Sequence, residues 1–195
     1  MNRAVFLDRD GVINRLVHRS QDTGDEWDSP YLLSEIEIIE GVGEAIQKIN
    51  GLGFLAIIVS NQPGVAKGKC DLDFLDKATD FIRSKLLQQN AFIDDVYYCL
   101  HHPDAVNEAY RIICECRKPK PGLLFQAAQD HEIDLSRSYM IGDRITDIFA
   151  AEAAGCEAIL VDGVDTGSYD KSRSDRIRFE DDLLSAVLHI LVRET

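Results

Sequence analysis

The chain has 195 residues, 45% hydrophobic and 28% charged, the composition of ordinary globular material and not of a disordered, collagen-like or membrane-spanning chain. Lys and Arg number 21 against 34 Asp and Glu, and the resulting net charge of −13 argues against sequence-independent binding to a polyphosphate backbone. No apolar run approaches the ~20 residues a bilayer crossing needs, and Met1-Asn2-Arg3 leads into the first apolar run with no cleavage-type tail, so a soluble, cytoplasmic protein is expected.

Ala4-Val5-Phe6-Leu7 is a brief apolar run that stops at Asp8-Arg9-Asp10-Gly11, as a buried parallel strand does when it delivers polar groups at its C-terminal end. Arg15 to Glu40 is polar and acidic, contains Gly24, Trp27 and Pro30, and reads as a loop or small excursion beside that strand end. Helical spacing follows at Val42, Ile46 and Ile49. A second strand, Phe54 to Val59, stops at Ser60-Asn61-Gln62-Pro63-Gly64, and Leu72, Leu75, Thr79, Ile82 and Leu86 mark the next helix. Leu100 to Lys120 breaks the rhythm and carries cysteines. Pro121 stands near the first helical position ahead of Leu123, Leu124, Ala127 and Ala128. Tyr139-Met140-Ile141 stops at Gly142-Asp143, and Ile148, Ala151 and Ala154 followed by Gly155 predict a helix with a glycine stop. Glu157 to Val161 stops at Asp162-Gly163. Asp162 to Arg178 reads as a surface connection, and Leu183 to Val192 as a last amphipathic helix.

Strands alternating with helices imply βαβ crossovers, hence an α/β fold with a mostly parallel, Rossmann-like sheet covered by helices on both faces. One domain over 1–195 is expected, with no insertion long enough for a large cap domain. Ligands of such sheets bind beyond the carboxyl ends of the strands, so the polar clusters at the strand ends should meet in one crevice.

Asp8 and Asp10 at the first strand end, Ser60 and Asn61 at the second, Arg117 and Lys118 before Pro119, and Asp143 with Asp147 form a set suited to phosphoryl transfer. Two unit charges about 4 Å apart repel by roughly 4 kcal/mol at an effective dielectric near 20, so Asp8, Asp10, Asp143 and a phosphate dianion need a divalent cation. Oxygen-only ligation favours Mg²⁺. Asp8 can then attack phosphorus, Asp10 can protonate the leaving oxygen and later deprotonate water, and Ser60 and Lys118 can hold the equatorial oxygens. Asp147 reads equally as support for this site or as an exposed carboxylate in a helix's first turn.

Phe6-Leu7-Asp8-Arg9-Asp10-Gly11-Val12-Ile13-Asn14, Val59-Ser60-Asn61-Gln62, Arg117-Lys118-Pro119 and Gly142-Asp143-Arg144-Ile145-Thr146-Asp147 resemble the four motifs of the haloacid dehalogenase superfamily, in order. More narrowly they look like the D-glycero-D-manno-heptose-1,7-bisphosphate 7-phosphatase family and its histidinol-phosphatase relatives. The likeness runs from about Ala4 to Val161. It implies Asp8 as nucleophile and metal ligand, Asp10 as acid/base with a main-chain metal contact, and Asp143 as metal ligand. It gives Ser60, Asn61, Arg117, Lys118 and Arg144 to the phosphate and substrate. His18 and Arg19 align with a substrate-contacting stretch and read equally as contacts to a sugar hydroxyl or second phosphate or as solvated side chains, and Pro63 and Lys67 depart from the family's commoner small residue and arginine.

Five cysteines, an odd number, cannot all pair within one chain and are expected to be reduced thiols. Cys99-Leu100-His101-His102-Pro103 and Cys114-Glu115-Cys116 supply three sulfurs and an imidazole, the ligand set of a closed zinc site; a reduced set without metal is the alternative. The family carries a Cys-x-His…Cys-x-Cys zinc loop immediately before Arg-Lys-Pro. By that resemblance Cys99, His101, Cys114 and Cys116 hold structural Zn²⁺ in a loop over 99–116, and His102 does not. Cys70 and Cys156 read as small apolar side chains, and Trp27 as either a sugar platform or a packed aromatic.

The function expected is Mg²⁺-dependent hydrolysis of a sugar bisphosphate through an aspartyl-phosphate, with selection by the 15–40 and zinc loops. Histidinol-phosphate hydrolysis and a silent module binding phosphorylated ligands are the alternatives, and a polynucleotide-end phosphatase is disfavoured by charge. A monomer or weak homo-oligomer is expected, with no nucleic acid or membrane partner.

Overall fold

The computed structural model describes residues 1–19, 26–163 and 177–194. Six strands form one sheet in the order β5-β4-β1-β6-β7-β8, where β1 is Ala4–Leu7, β4 Leu55–Asn61, β5 Asp95–Cys99, β6 Tyr139–Gly142, β7 Glu157–Val161 and β8 Arg178–Glu180. Every pairing in it is parallel. Two-residue strands β2 (Val17–His18) and β3 (Trp27–Asp28) pair antiparallel between β1 and α1 (Val42–Gly51), with a short 3₁₀ turn at Leu33–Glu35.

Side-chain alternation along each strand divides the core in two. Val5, Leu7, Ala56, Ile58, Ile141 and Ile159 face α1, α2 (Leu72–Leu87) and α5 (Leu183–Glu194). Ala4, Phe6, Ile57, Val59, Met140 and Leu160 face α3 (Gly122–Asp130) and α4 (Ile145–Ala154). Strands buried on both faces read as unbroken apolar runs, which is why β1, β4, β6 and β7 appear where the sequence places them. The helices do as well: Asp71 caps α2 by accepting the Phe74 N–H at 2.8 Å, and Gly155 ends α4 at φ +81°.

Two strands of the six-stranded sheet have no counterpart in the sequence reading. β5 is a sheet edge, begins with a polar residue and buries only Tyr97 and Cys99 fully. β8 starts at Arg178, the last residue of the stretch read as a connection, most of which lies outside the described residues. Among the described residues no helix is long and apolar enough to cross a membrane.

Candidate active site

Because β4, β1 and β6 are parallel neighbours, their C-terminal ends bring Ser60, Asn61, Asp8, Asp10 and Asp143 to one edge. Asp8, Asp10, Ser60, Asn61, Arg117, Lys118, Arg144 and Asp147 line one cavity of about 280 Å³, with Trp27, Asp28, Ser29 and Lys67 at other parts of its wall. The turn after β1 is closed by the Gly11 N–H donating to the Asn14 carbonyl at 2.8 Å. Gly11 sits at φ +92°, and a Cβ there would lie 2.2 Å from Asp143 Oδ2, so the turn and the close approach both require glycine.

Asp8 Oδ1 accepts from the Arg9 N–H at 2.7 Å and from Ser60 Oγ at 2.6 Å, and lies 3.1 Å from Lys118 Nζ. Lys118 is buried, with Nζ also 2.6 Å from Asp147 Oδ1 and donating to the Val59 carbonyl at 2.8 Å. Burial favours the neutral amine, but Asp147 and Asp8 outweigh it and hold the ammonium above its usual range. Asp147 is fully buried and also accepts the Arg144 N–H at 3.1 Å, so it is a partner of Lys118 and not the exposed first-turn carboxylate weighed as one reading of the sequence.

Asp8, Asp143 and Asp147 place ligand oxygens within 4.8 Å of one another. Both Asp143 oxygens are buried without a hydrogen-bond partner. Burial and the neighbouring Asp8 and Asp147 push its carboxyl well above the usual range, and burial with Asp8 pushes Asp147 up to about 6 against the pull of Lys118. Orphaned buried oxygens among mutually repelling carboxylates fit a hard divalent cation. The Asp10 carboxylate is not in this cluster. It is paired with Arg9 Nε and Nη2 at 2.9 Å each and accepts from Asn14 Nδ2 at 2.9 Å, Ser29 Oγ at 2.8 Å and Gln62 Nε2 at 2.7 Å. Burial raises its carboxyl, but Arg9, Gln62 and Asn14 prevail and hold it below the usual range. This leaves only the main chain of Asp10 for a metal contact.

The raised Asp147 carboxyl sets a pH dependence. Between its ordinary 3.8 and about 6 the folded chain keeps a proton that the unfolded chain has lost, so stability falls as pH rises through that window. Mg²⁺ offsets the loss only where protons do not compete. Its addition is expected to raise the Tm more at about pH 7.5 than at about pH 5 by calorimetry. Asp143→Asn should raise the Tm without added Mg²⁺, by roughly 2–4 °C per kcal/mol of repulsion relieved, and abolish the Mg²⁺ increment.

Cys99, His101, Cys114 and Cys116 also meet, their ligand atoms all within 4.8 Å of one another. Cys99 Sγ is 3.6 Å from Cys114 Sγ and 3.2 Å from Cys116 Sγ, Cys114 and Cys116 are 3.2 Å apart, and His101 Nδ1 is 3.3 Å from Cys116 Sγ. Tetrahedral zinc with Zn–S of about 2.3 Å separates its sulfurs by about 3.8 Å, so the donors stand near the spacing the ion needs. His102 is outside the cluster and accepts the Asp104 N–H at 3.1 Å through Nδ1. The cluster reaches the cavity through Arg117, whose Nη1 donates to the His101 carbonyl at 3.1 Å, and it is tied to the support of Asp10 by the Gln62 N–H donating to the Cys99 carbonyl at 2.8 Å. Cys70 and Cys156 lie apart from it, and burial pushes their thiols up to about 11 and about 12, the state of unreactive packing groups.

Several assigned residues sit differently from the sequence reading. The Asn61 side chain is taken up by Lys118, donating to its carbonyl at 3.1 Å and accepting its N–H at 3.0 Å, so it staples β4 to the zinc-loop exit. Arg19 does not line the cavity; it is clamped by Glu35 at 2.7 and 3.0 Å. His18 is also outside the lining, 3.5 Å from Glu26 and edge-on to Trp27. Arg9, Asn14, Ser29 and Gln62 had no assigned role. Only the polarity of Gln62 directly after a buried strand hinted at one.

The HAD-hydrolase-like family model matches residues 115–188. The D-glycero-beta-D-manno-heptose-1,7-bisphosphate 7-phosphatase of Photorhabdus laumondii is 38% identical over 153 residues, 77% of this chain and 75% of that protein. The chain belongs to the heptose-bisphosphate phosphatase family of HAD-like hydrolases. The Rhodopseudomonas palustris phosphatase of the same name is 36% identical over 83% of this chain and 84% of its own. A D,D-heptose 1,7-bisphosphate phosphatase from B. bronchiseptica, solved with magnesium and phosphate, superposes with a TM-score of 0.81 at 27% identity, covering 98% of this chain and 99% of that one. Likeness to a Burkholderia thailandensis enzyme, TM-score 0.68 at 23% identity over 97% and 99% of the two chains, bears on the fold alone.

Proposed function

We propose that this member of the heptose-bisphosphate phosphatase family hydrolyses the 7-phosphate of D-glycero-D-manno-heptose 1,7-bisphosphate through a phosphoryl group carried on Asp8. The observation that carries the reading is the Asp8 carboxylate, fixed by Ser60 and Lys118 on the wall of the cavity and beside the unpartnered Asp143. Asp8 and Asp143 would hold Mg²⁺, with Asp147 beside them. The ion supplies charge neutralisation for the phosphate oxygens when bound.

Asp8 attacks phosphorus as the bond to the leaving oxygen breaks, and the Asp10 carboxyl gives its proton to that oxygen. Water then attacks phosphorus, Asp10 takes its proton, and Asp8 is regenerated with release of inorganic phosphate. Over the full cycle Asp10 gives one proton to the leaving oxygen and takes one from water, so the proton count closes. The cradle around Asp10 stabilises the carboxylate that remains after donation. Ser60 and Lys118 hold phosphate oxygens as charge redistributes. Arg117, Arg144 and Lys67 gather positive charge around the cavity of a chain whose net charge is −13, which suits a substrate with a second phosphate. Structural zinc on Cys99, His101, Cys114 and Cys116 would fasten the loop that presents Arg117 and Lys118.

The experiment is kcat/KM on a panel of phosphate monoesters that includes both anomers of heptose 1,7-bisphosphate, heptose monophosphate and histidinol phosphate. A preference of at least about 100-fold for a heptose bisphosphate is expected, since a substrate without the second phosphate leaves Arg117, Arg144 and Lys67 on the cavity wall without that anion. Preference for histidinol phosphate would replace the substrate and leave the Asp8 chemistry in place.

A further inference from the structure

Of the four side chains that hold Asp10, Arg9, Asn14 and Gln62 are fully or nearly fully buried and lie outside the cavity lining. Ser29 differs. It comes from the excursion between β1 and α1, lines the cavity together with Asp10, and donates from Oγ to Asp10 Oδ2 at 2.8 Å across 19 residues of sequence.

The hydroxyl is offered from a backbone fixed on both sides. The Ser29 N–H donates to Asp28 Oδ1 at 2.8 Å, and the Ser29 carbonyl accepts from Arg19 Nη2 at 3.1 Å. Asp28 is in turn held by the Tyr31 hydroxyl at 2.7 Å and by Lys69. Arg19 is held by Glu35, whose carboxylate also accepts the Tyr31 N–H at 2.8 Å. Two ion pairs therefore converge on one serine, and that serine touches the group assigned as acid and base. Arg19, read from sequence as a substrate contact, serves here as a strut.

We propose that Ser29 is a positioning residue, orienting the Asp10 carboxyl for transfer of its proton to the leaving oxygen, so that the substrate-side excursion sets the geometry of the acid. The inference rests on the role given to Asp10 above. In the step concerned the Asp8–phosphorus bond forms, the phosphorus–oxygen bond to the leaving group breaks, and the proton moves from Asp10 to that oxygen. The Ser29 hydroxyl keeps its own proton and remains the donor to Oδ2.

A positioned acid matters most where the leaving group needs a proton. 4-Nitrophenolate leaves as a stable anion, whereas a sugar alkoxide does not. The test compares kcat/KM, which covers only the steps through leaving-group departure, for heptose 1,7-bisphosphate and 4-nitrophenyl phosphate in the wild type, Ser29→Ala, Ser29→Thr and Asp10→Asn. Ser29→Ala should lose about tenfold more on the sugar phosphate than on the aryl phosphate, the effect of one hydrogen bond to a charged group, and Ser29→Thr should recover most of it. Equal losses on the two substrates, or none, in Ser29→Ala while Asp10→Asn discriminates between them would overturn the role of Ser29 and leave that of Asp10. An Asp10→Asn variant that loses equally on both would overturn the assignment of Asp10, and the inference with it.

Discussion

Asp8→Asn should release no phosphate from a substrate that the wild type turns over, a fall of at least about 10⁴-fold, while the fold survives. The amide has the shape of the carboxylate and can still accept from Ser60 and from Lys118, which contact Oδ1 in the native chain. What it lacks is the anionic oxygen that forms the bond to phosphorus. Stability should not fall, because Asp8 is one of the charges that drive the carboxyls of Asp143 and Asp147 upward. The variant is therefore expected to match or exceed the wild-type Tm without added Mg²⁺. Phosphate release and calorimetry on the same preparation check both halves, and wild-type activity in this variant would end the proposed chemistry.

The second large effect concerns zinc. Between the end of β5 and the start of α3 the described chain forms only a 3₁₀ turn at Glu108–Tyr110. Its middle is tied to the body by the Val106 and Asn107 N–H groups donating to the Ala66 carbonyl at 2.9 and 3.2 Å, and its exit by the buried Lys118 with Asn61, Asp8 and Asp147. A segment so poor in its own core depends on the bond energy of its ion, on the order of 10 kcal/mol in small zinc modules. Gly122 shows how tightly the ligating end packs: a Cβ there would lie 2.4 Å from the Glu115 carbonyl oxygen. Cys116→Ser should reduce bound zinc from one per chain to none, by metal analysis. It should also lower the Tm by on the order of 10 °C, from the loss of a few kcal/mol. Activity should fall as well, because the carbonyl that holds Arg117 and the backbone that holds Asn61 belong to the same segment. Unchanged Tm and activity in the zinc-free variant would remove zinc from the account.

The central strands and the helices were readable because burial on both faces leaves continuous apolar runs, and because 3.6-residue spacing marks α1 to α5. β5 was not, since an edge strand that opens on Asp95 carries neither signal. At the site, the strand-end positions of Asp8, Ser60 and Asp143 could be foreseen, for parallel topology alone brings them to one edge. Side-chain direction could not. Nothing in the chain order shows that Asp10 turns to Arg9, Asn14, Ser29 and Gln62, nor that Arg19 meets Glu35 across 16 residues. The burial of Asp147 was equally hidden, since a carboxylate in a helix's first turn has a sufficient local reason to be there. Motif spacing locates backbone positions; which polar group each side chain finds depends on the packing around it.

The chemistry can be tested at one atom. Enzyme quenched during turnover of a phosphate monoester and treated with borohydride, which reduces an acyl phosphate to the alcohol, should yield homoserine in place of Asp8 when its peptides are weighed by mass spectrometry. Reduction at another carboxylate, or an unaltered Asp8 in protein caught at full turnover, would contradict the account.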